Sequence, residues 1–305
     1  MKIDRRHLLK TALATVSLAP LAALRTQAST PRLATRRAAS IDEHMPVIGL
    51  GSWITFNVGS DPRLLDESAA VIAAFLEGGG RVIDSSPMYG SSQATIGYAL
   101  RKLGNPHSVF SADKVWTSQS DGSKQIAQSQ GHWGVRRFDL LQVHNLLNWR
   151  EHLDTLRAMK AAGQLRSIGI TTSHGSRHRL LEKIMTSEPI DFIQVTYNIV
   201  DRQVEQRILP LAREKGISVI VNRPFRRGAL IKQLESEPLP NWASETGASS
   251  WAQFLLKFVI SNPVVTCAIP ATTRVDHVRE NLGAGAGVLP DESLRARMAE
   301  YVRQL

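Results

Sequence analysis

Eight short apolar runs that alternate with helical patterns predict an α/β fold, a (β/α)8 TIM barrel of eight parallel strands with surrounding helices. Most runs are rich in Val, Ile and Leu and too apolar to have a solvated face, which is typical of buried parallel strands. The predicted strands are Val47–Leu50, Arg81–Ser85, Val109–Lys114, Asp139–His144, Ser167–Thr171, Asp191–Tyr197, Ser218–Asn222 and Val264–Ile269.

Apolar residues at helical spacing lie between the strands. The first helix is marked by Leu65, Ala69, Ile72 and Leu76. Gly78-Gly79-Gly80 follows where a helix end is expected, and Asn262-Pro263 ends the last helix before strand eight. The segment after strand three has the least regular pattern, because Lys124–Gln130 is polar and glycines interrupt the residues that follow.

The composition is that of an ordinary globular chain of 305 residues, 43% hydrophobic and 21% charged. Its single cysteine, Cys267, excludes an internal disulfide and a Cys-rich metal site. Of the net charge of +10, residues 1–28 contribute 5 − 1 = +4. No basic stripe interleaved with aromatic residues follows, so nucleic acid is not an expected partner.

The first 28 residues have the order of an export signal. Arg5 and Arg6 precede Leu8-Leu9-Lys10, the uncharged run Thr11–Leu24 follows, and Thr26-Gln27-Ala28 supplies small residues for cleavage. This segment resembles a twin-arginine signal. The resemblance implies the twin-arginine translocon as a partner and a periplasmic or exported location, or a cytoplasmic one if the signal is unused.

An amphipathic or buried N-terminal helix is the alternative interpretation of this segment. The uncharged run is too short to cross a bilayer comfortably, so no transmembrane span is expected. Residues 29–40, with Arg32, Arg36 and Arg37, are predicted as a basic linker, and residues 41–305 as one barrel domain.

Four polar residues at or just after strand ends stand out against the apolar pattern: Asp84, Tyr89, Lys114 and His144. In a barrel of this type the carboxyl ends of the strands meet at one mouth, where the chemistry takes place. A lone strand-end Asp is commonly a helix cap, and a lone Lys is commonly a surface charge. Because all four converge on one mouth, we predict that they form a catalytic site.

These residue types suit the reduction of a carbonyl group. Hydride transfer leaves an alkoxide that must receive a proton from a general acid within hydrogen-bond reach. A tyrosine with its usual pKa of about 10 donates poorly at neutral pH, and a neighbouring cation is expected to lower that pKa. Lys114 would supply the cation beside Tyr89, Asp84 would hold the ammonium, and His144 would bind the substrate oxygen.

Four segments in this order and spacing resemble the aldo-keto reductases, over residues 45–285. They are Val82–Gly90, Asp113–Thr117, Asp139–Asn145 and Ile269–Arg274. The resemblance implies the same roles for the tetrad, with Tyr89 as the acid, Lys114 and Asp84 tuning it, and His144 orienting a small aldehyde or ketone substrate.

The resemblance also implies NADPH as the cofactor, with NADH less expected. The implied cofactor-binding residues are Thr171, Thr172, Gln194, Asn222, Arg223, Thr272, Arg274, His277, Glu280 and Asn281. The implied substrate-binding residues are Trp53, Trp116 and Asn145.

Three positions depart from the family pattern. Thr172 replaces an amide residue, Asn222 replaces the aromatic residue that stacks on the nicotinamide, and Ala271 replaces a lysine that faces the 2′-phosphate. Arg274 would then be the main cation at that phosphate.

Two other functions can be considered from the sequence. A metal-dependent barrel hydrolase would need a His-x-His on strand one, which is absent, so no metal is predicted. A cofactor-holding binding or regulatory subunit with little turnover is the alternative function.

Overall fold

The computed structural model of the protein describes residues 33–305. The predicted export signal and the first residues of the predicted linker lie outside this range. Eight strands form one parallel sheet, each paired with its neighbour along the chain. They are β3 (Leu50–Gly51), β4 (Val82–Asp84), β5 (Phe110–Val115), β6 (Phe138–Val143), β7 (Leu165–Thr171), β8 (Phe192–Thr196), β9 (Ser218–Asn222) and β10 (Val265–Ala268). Parallel bridges from Ile48 to Ala268 and from Gly51 to Ala271 close the ring, and the predicted barrel is confirmed.

Helices follow the strands around the outside of the barrel. They are α1 (Pro62–Glu77), α2 (Ser92–Lys102), α3 (Ser123–Trp133), α4 (Trp149–Ala161), α5 (His178–Ser187), α6 (Ile208–Lys215), α7 (Ala229–Leu234), α8 (Trp251–Ile260), α9 (Val275–Gly283) and α10 (Glu292–Gln304). Asp61 caps α1 by accepting from two backbone N–H groups, and Gly79 follows its end at φ +85°. No helix within residues 33–305 is long and apolar enough to cross a membrane.

The irregular segment after the third strand forms a continuous helix, α3, which runs through Gly131 and ends at Gly134. Ile126, Ser129 and Trp133 are its buried residues. This buried stripe anchors the helix on the barrel, and tertiary contacts of this kind override weak local propensity.

The predicted linker is wrong for the part that the structure describes, because residues 35–46 form an antiparallel hairpin. Its strands are β1 (Thr35–Ala38) and β2 (Glu43–Pro46). Ala38 and Met45 pack in the cluster of side chains that fills the barrel interior, together with residues such as Phe110 and Leu140. Arg36 donates to the backbone carbonyls of Ile260, Asn262 and Val265, so the hairpin is bonded to the amino end of β10.

Candidate active site

The centre of the barrel mouth is a buried ion pair between the ends of two adjacent strands. Lys114 Nζ lies 2.6 Å from Asp84 Oδ2 and 2.7 Å from the carbonyl oxygen of Ser85. The side chains of Lys114 and Asp84 are 0% and 2% exposed. An ammonium and a carboxylate this deeply buried are held only when each is paired and hydrogen-bonded, as both are here.

Tyr89 lies above this pair because the chain turns directly after β4. The Tyr89 N–H donates to the carbonyl oxygen of Ser86, which closes the turn. Lys114 Nζ is then 5.2 Å from the centroid of the phenol ring. The ring of His144, which follows β6, meets the phenol edge-on with 5.7 Å between centroids. The four residues predicted from the sequence are therefore together at one mouth.

The pKa of the Tyr89 phenol is shifted in the direction opposite to the predicted one. Burial raises the pKa of Tyr89, and it outweighs the nearby charge of Lys114, which acts in the expected downward direction. Burial alone would lower the pKa of Lys114, but the Asp84 carboxylate and the phenol more than offset it, so the pKa of the ammonium is raised. At neutral pH the site therefore holds a protonated phenol beside a charged ammonium.

His144 is a neutral imidazole in this setting. Burial, together with the charges of Lys114 and Arg177, lowers the pKa of His144 to about 3. Its Nδ1 lies 2.7 Å from Ser86 Oγ, which also accepts from the Met88 N–H at 3.2 Å. Ser86 is thus a partner of His144 that the sequence analysis quoted only as part of a motif.

The tetrad opens into a cleft of about 340 Å³ at the barrel mouth. Its apolar lining residues include Trp53, Ile54, Met88 and Phe225. Its polar lining residues include Asn145, Thr171, Gln194, Asn222 and Arg223. Trp116 was predicted to bind the substrate, but it is not among the residues that line this cleft. Its side chain is 40% exposed, and its ring centroid is 6.5 Å from that of His144.

Residues 47–299 match the aldo/keto reductase family. The chain belongs to this family. It is 28% identical over 267 residues to the methylglyoxal reductase YeaE of Escherichia coli (strain K12), covering 85% of this chain and 90% of that protein. An NADH-specific methylglyoxal reductase of the same organism is 28% identical over 234 residues, covering 64% of this chain and 68% of the relative.

Solved structures agree on the fold. An aldo/keto reductase from Klebsiella pneumoniae, crystallised in complex with NADP and acetate, aligns with a TM-score of 0.73 at 24% identity. The alignment covers 88% of this chain and 95% of that one. The holo form of an aldo-keto reductase from Bacillus halodurans aligns with a TM-score of 0.72 at 21% identity, over 89% and 96% of the two chains.

In this aldo/keto reductase the polar residues beside the tetrad form a chain of hydrogen bonds. Gln194 Nε2 donates to Asp84 Oδ1 at 2.8 Å, and Asn222 Nδ2 approaches Gln194 Oε1 at 3.4 Å. Thr171 Oγ1 accepts from the Asn145 N–H at 3.0 Å. Gln194 therefore links the predicted cofactor-binding residues to the buried Lys114–Asp84 pair.

Thr172 does not line the cleft, contrary to its predicted role. It is 1% exposed, and its hydroxyl donates to the carbonyl oxygen of His174 at 3.1 Å. A threonine side chain is too short to reach past this backbone contact into the mouth. Ser173, the next residue, lines the cleft in its place.

The residues predicted to hold the adenosine 2′-phosphate, and those predicted near the adenine, lie together after β10, on or beside α9. Thr272 Oγ1 is 3.4 Å from His277 Nδ1, Asn281 is buried, and the carbonyl oxygen of Glu280 accepts from Gln253. Arg274 is exposed and forms an ion pair with Asp276. Exposed ion pairs of this kind contribute little to stability, so Arg274 can exchange Asp276 for a phosphate.

Asp113 is a fully buried carboxylate next to Lys114, and no sequence motif assigned it a role. It faces away from the barrel interior and accepts from Gln93 Nε2 at 2.9 Å, Trp133 Nε1 at 2.5 Å and the Lys114 N–H at 2.6 Å. Burial raises the pKa of Asp113 to about 7, although the charge of Lys114 opposes the rise. Its negative charge also contributes to the raised pKa of Tyr89.

We expect Asp113→Asn to shift the pH dependence of the active enzyme. Removing a negative charge near the phenol makes the phenolate easier to form and so lowers the pKa of Tyr89. The rate of reduction, which needs a protonated acid, would then begin to fall at a lower pH than in the wild type. The measurement is the pH profile of kcat/KM for carbonyl reduction.

Ser129→Ala is the matched control, because it removes the hydrogen bond from Gln93 to Ser129 without changing any charge. Its pH profile should match that of the wild type. An unshifted profile in Asp113→Asn would show that Asp113 supports only the packing of α2 and α3 on β5.

Proposed function

We propose that the protein is an NADPH-dependent reductase that converts aldehyde or ketone carbonyls to alcohols, with Tyr89 as the general acid. The observation that carries the proposal is the buried Lys114–Asp84 pair beside the Tyr89 phenol, at a cleft lined by both apolar and polar side chains. A module that only binds a ligand has no need of a tyrosine held over a buried ammonium. Support also comes from relatives named as methylglyoxal reductases and from a structural neighbour crystallised with NADP.

A reduced nicotinamide, when bound, supplies the hydride that turns the carbonyl carbon into an alkoxide carbon. Tyr89 transfers its hydroxyl proton to the oxygen as negative charge develops there. The Lys114 ammonium, 5.2 Å from the ring centroid, stabilises the phenolate that remains. Asp84 holds the ammonium in place from one side and accepts from Gln194 on the other.

His144 orients the carbonyl. The neutral ring carries one N–H. The Ser86 hydroxyl is 2.7 Å from Nδ1; if it donates there, the ring proton is on Nε2, where it would be offered to the substrate oxygen. A neutral donor of this kind positions the oxygen beside Tyr89 without competing as an acid. Trp53, Ile54 and Met88 add apolar surface to the cleft beside these polar groups.

The residues present fit a nicotinamide cofactor. Thr171, Gln194 and Asn222 bring hydroxyl and amide groups to the cleft wall, which suits a carboxamide. Asn222 offers hydrogen-bonding atoms where family members place a stacking ring. Arg274, with Thr272 and His277, supplies the groups for a 2′-phosphate, which favours NADPH over NADH.

Purified protein mixed with NADPH and a panel of aldehydes and ketones tests the proposal. We expect consumption of NADPH with at least one class of carbonyl compound, and slower consumption of NADH. The alternative, a cofactor-holding subunit, predicts tight NADPH binding with no consumption across the whole panel.

We also propose that the protein is exported in folded form through the twin-arginine translocon, on the strength of the order of residues 1–28. Export of a folded chain suits a protein that takes up its cofactor before transport. Changing Arg5 and Arg6 to Lys should retain the protein in the cytoplasm of fractionated cells. The same distribution for the wild type and this variant would rule out the twin-arginine route.

A further inference from the structure

Ser86 is fully buried in the turn that follows β4, between Asp84 and Tyr89. Within residues 33–305 its hydroxyl oxygen has two hydrogen-bond partners, Nδ1 of His144 at 2.7 Å and the backbone N–H of Met88 at 3.2 Å. In the same part of the chain, the contact with Ser86 is the only hydrogen bond that the His144 ring makes. Ser86 is therefore placed to decide which ring nitrogen of His144 carries the proton.

The Met88 N–H determines the direction of the hydrogen bond between Ser86 and His144. A serine hydroxyl has one hydrogen to donate and two lone pairs that can accept. A backbone N–H can only donate, so Met88 occupies one of these lone pairs. If Nδ1 of His144 donated as well, the Ser86 hydrogen would have no acceptor among the described residues, which is costly for a buried group. The Ser86 hydroxyl therefore donates to Nδ1.

This direction fixes the tautomer of His144. A neutral imidazole carries one N–H, and the nitrogen that accepts a hydrogen bond is the one without it. Because burial and the neighbouring cations keep His144 neutral, its N–H is on Nε2. His144 lines the cleft at the barrel mouth, and no residue within 33–305 accepts from Nε2. The N–H is thus free to donate to a ligand in the cleft.

The backbone at the end of β6 gives the His144 ring little support of its own. The chain leaves the strand in a tight turn, in which Asn145 and Leu146 have φ values of +53° and +58°. This left-handed region is unfavourable for leucine, and backbone strain of this kind persists only where surrounding contacts hold it. The ring orientation then depends on the hydrogen bond from Ser86 and on the edge-on contact with Tyr89.

We infer that Ser86 is a positioning residue for the proposed carbonyl reduction. Its hydroxyl holds His144 in the tautomer with the N–H on Nε2 and directs that N–H at the oxygen of a bound carbonyl. In the other tautomer Nε2 would present a lone pair to the substrate oxygen and repel it. Ser86 transfers no proton and acts only through His144, so its role rests on the proposed function.

The tautomer of His144 can be measured without any substrate, by nitrogen NMR of protein with isotope-labelled histidine. The chain has nine histidines, and the signals that disappear in His144→Asn identify the ring. At neutral pH we expect a protonated Nε2 and an unprotonated Nδ1 in the wild type. Ser86→Ala removes the hydroxyl and should give a mixture of both tautomers.

Ser111→Ala is the matched control, because it also removes a buried serine hydroxyl, one that is bonded to Asp139 and makes no contact with His144. Its His144 signals should match those of the wild type. In steady-state kinetics Ser86→Ala should lose about tenfold in kcat/KM, which corresponds to one ordinary hydrogen bond, with the Kd of NADPH unchanged. Ser111→Ala should change neither quantity.

A proton on Nδ1 in the wild type would overturn the inference, and this result does not depend on whether the alanine variant folds. The wild-type tautomer in Ser86→Ala would also overturn it, even with a lower kcat/KM, because Ser86 would then only support the turn. So would an unchanged kcat/KM in Ser86→Ala. If no carbonyl compound is reduced by the wild type, the proposed function fails, and the NMR spectra still decide whether Ser86 sets the tautomer of His144.

Discussion

Replacing Tyr89 by Phe should reduce kcat/KM for carbonyl reduction by about 100-fold to 10,000-fold while leaving the Kd of NADPH nearly unchanged. The substitution removes the proton that the alkoxide must receive and keeps the ring against His144 and Lys114. The loss belongs to the transition state, since the hydroxyl acts only as charge develops on the substrate oxygen. Steady-state kinetics and a fluorescence titration of NADPH measure the two quantities.

Tyr98→Phe is the matched control for this substitution. Tyr98 is on α2, and its hydroxyl donates to Asp66 on the protein surface, away from the mouth. We expect wild-type kinetics from it. Wild-type activity in Tyr89→Phe would remove Tyr89 from the role of acid.

Lys114→Met should both inactivate and destabilise the protein. It leaves the Asp84 carboxylate buried with Gln194 as its remaining side-chain donor, and breaking a buried pair in this way costs about 3–5 kcal/mol of the free energy of unfolding. It also removes the charge that stabilises the phenolate of Tyr89. Chemical denaturation and steady-state kinetics measure the two effects.

A double variant, Lys114→Met with Asp84→Leu, separates stability from catalysis. Replacing both partners by apolar residues removes the unpaired charge, so most of the lost stability should return. Activity should not return, because the cation is still missing. Recovery of activity in the double variant would contradict the role of Lys114 beside Tyr89.

The barrel and the tetrad could be predicted because they depend on sequence patterns that recur along the whole chain. Buried parallel strands are continuously apolar, and an ionisable residue at a strand end is conspicuous against them. Asp84, Lys114 and His144 end consecutive strands, so the barrel closes them into one mouth whatever the loops do. Tyr89 follows from the same argument, since it lies one short turn beyond Asp84.

Other features depend on tertiary contacts that composition does not reveal. Residues 35–40 have the small and basic residues of a linker, yet Ala38 packs with Met45 in the barrel interior and Arg36 is bonded to backbone carbonyls. The polar segment of α3 is helical because Trp133 is anchored on Asp113. An acid inside a strand predicted to be buried was the available signal for Asp113, and the alternation along β5 places it on the face opposite to Lys114.

The pKa of Tyr89 shows a further limit of sequence reasoning. A neighbouring lysine predicts a lowered pKa for the phenol, and Lys114 does act in that direction. The extent of burial, which no sequence pattern gives, decides the sign of the net shift. The positive φ values of Arg226 and Arg227 could likewise not be predicted, because the residue type does not indicate them.

The most direct test of carbonyl reduction at this site uses NADPH deuterated at the transferable position, followed by mass spectrometry of the product. From the wild type we expect an alcohol with one deuterium on the former carbonyl carbon. From Tyr89→Phe under the same conditions we expect no labelled alcohol above background. An unlabelled product, or no product from any carbonyl compound although NADPH binds, would contradict carbonyl reduction at this site.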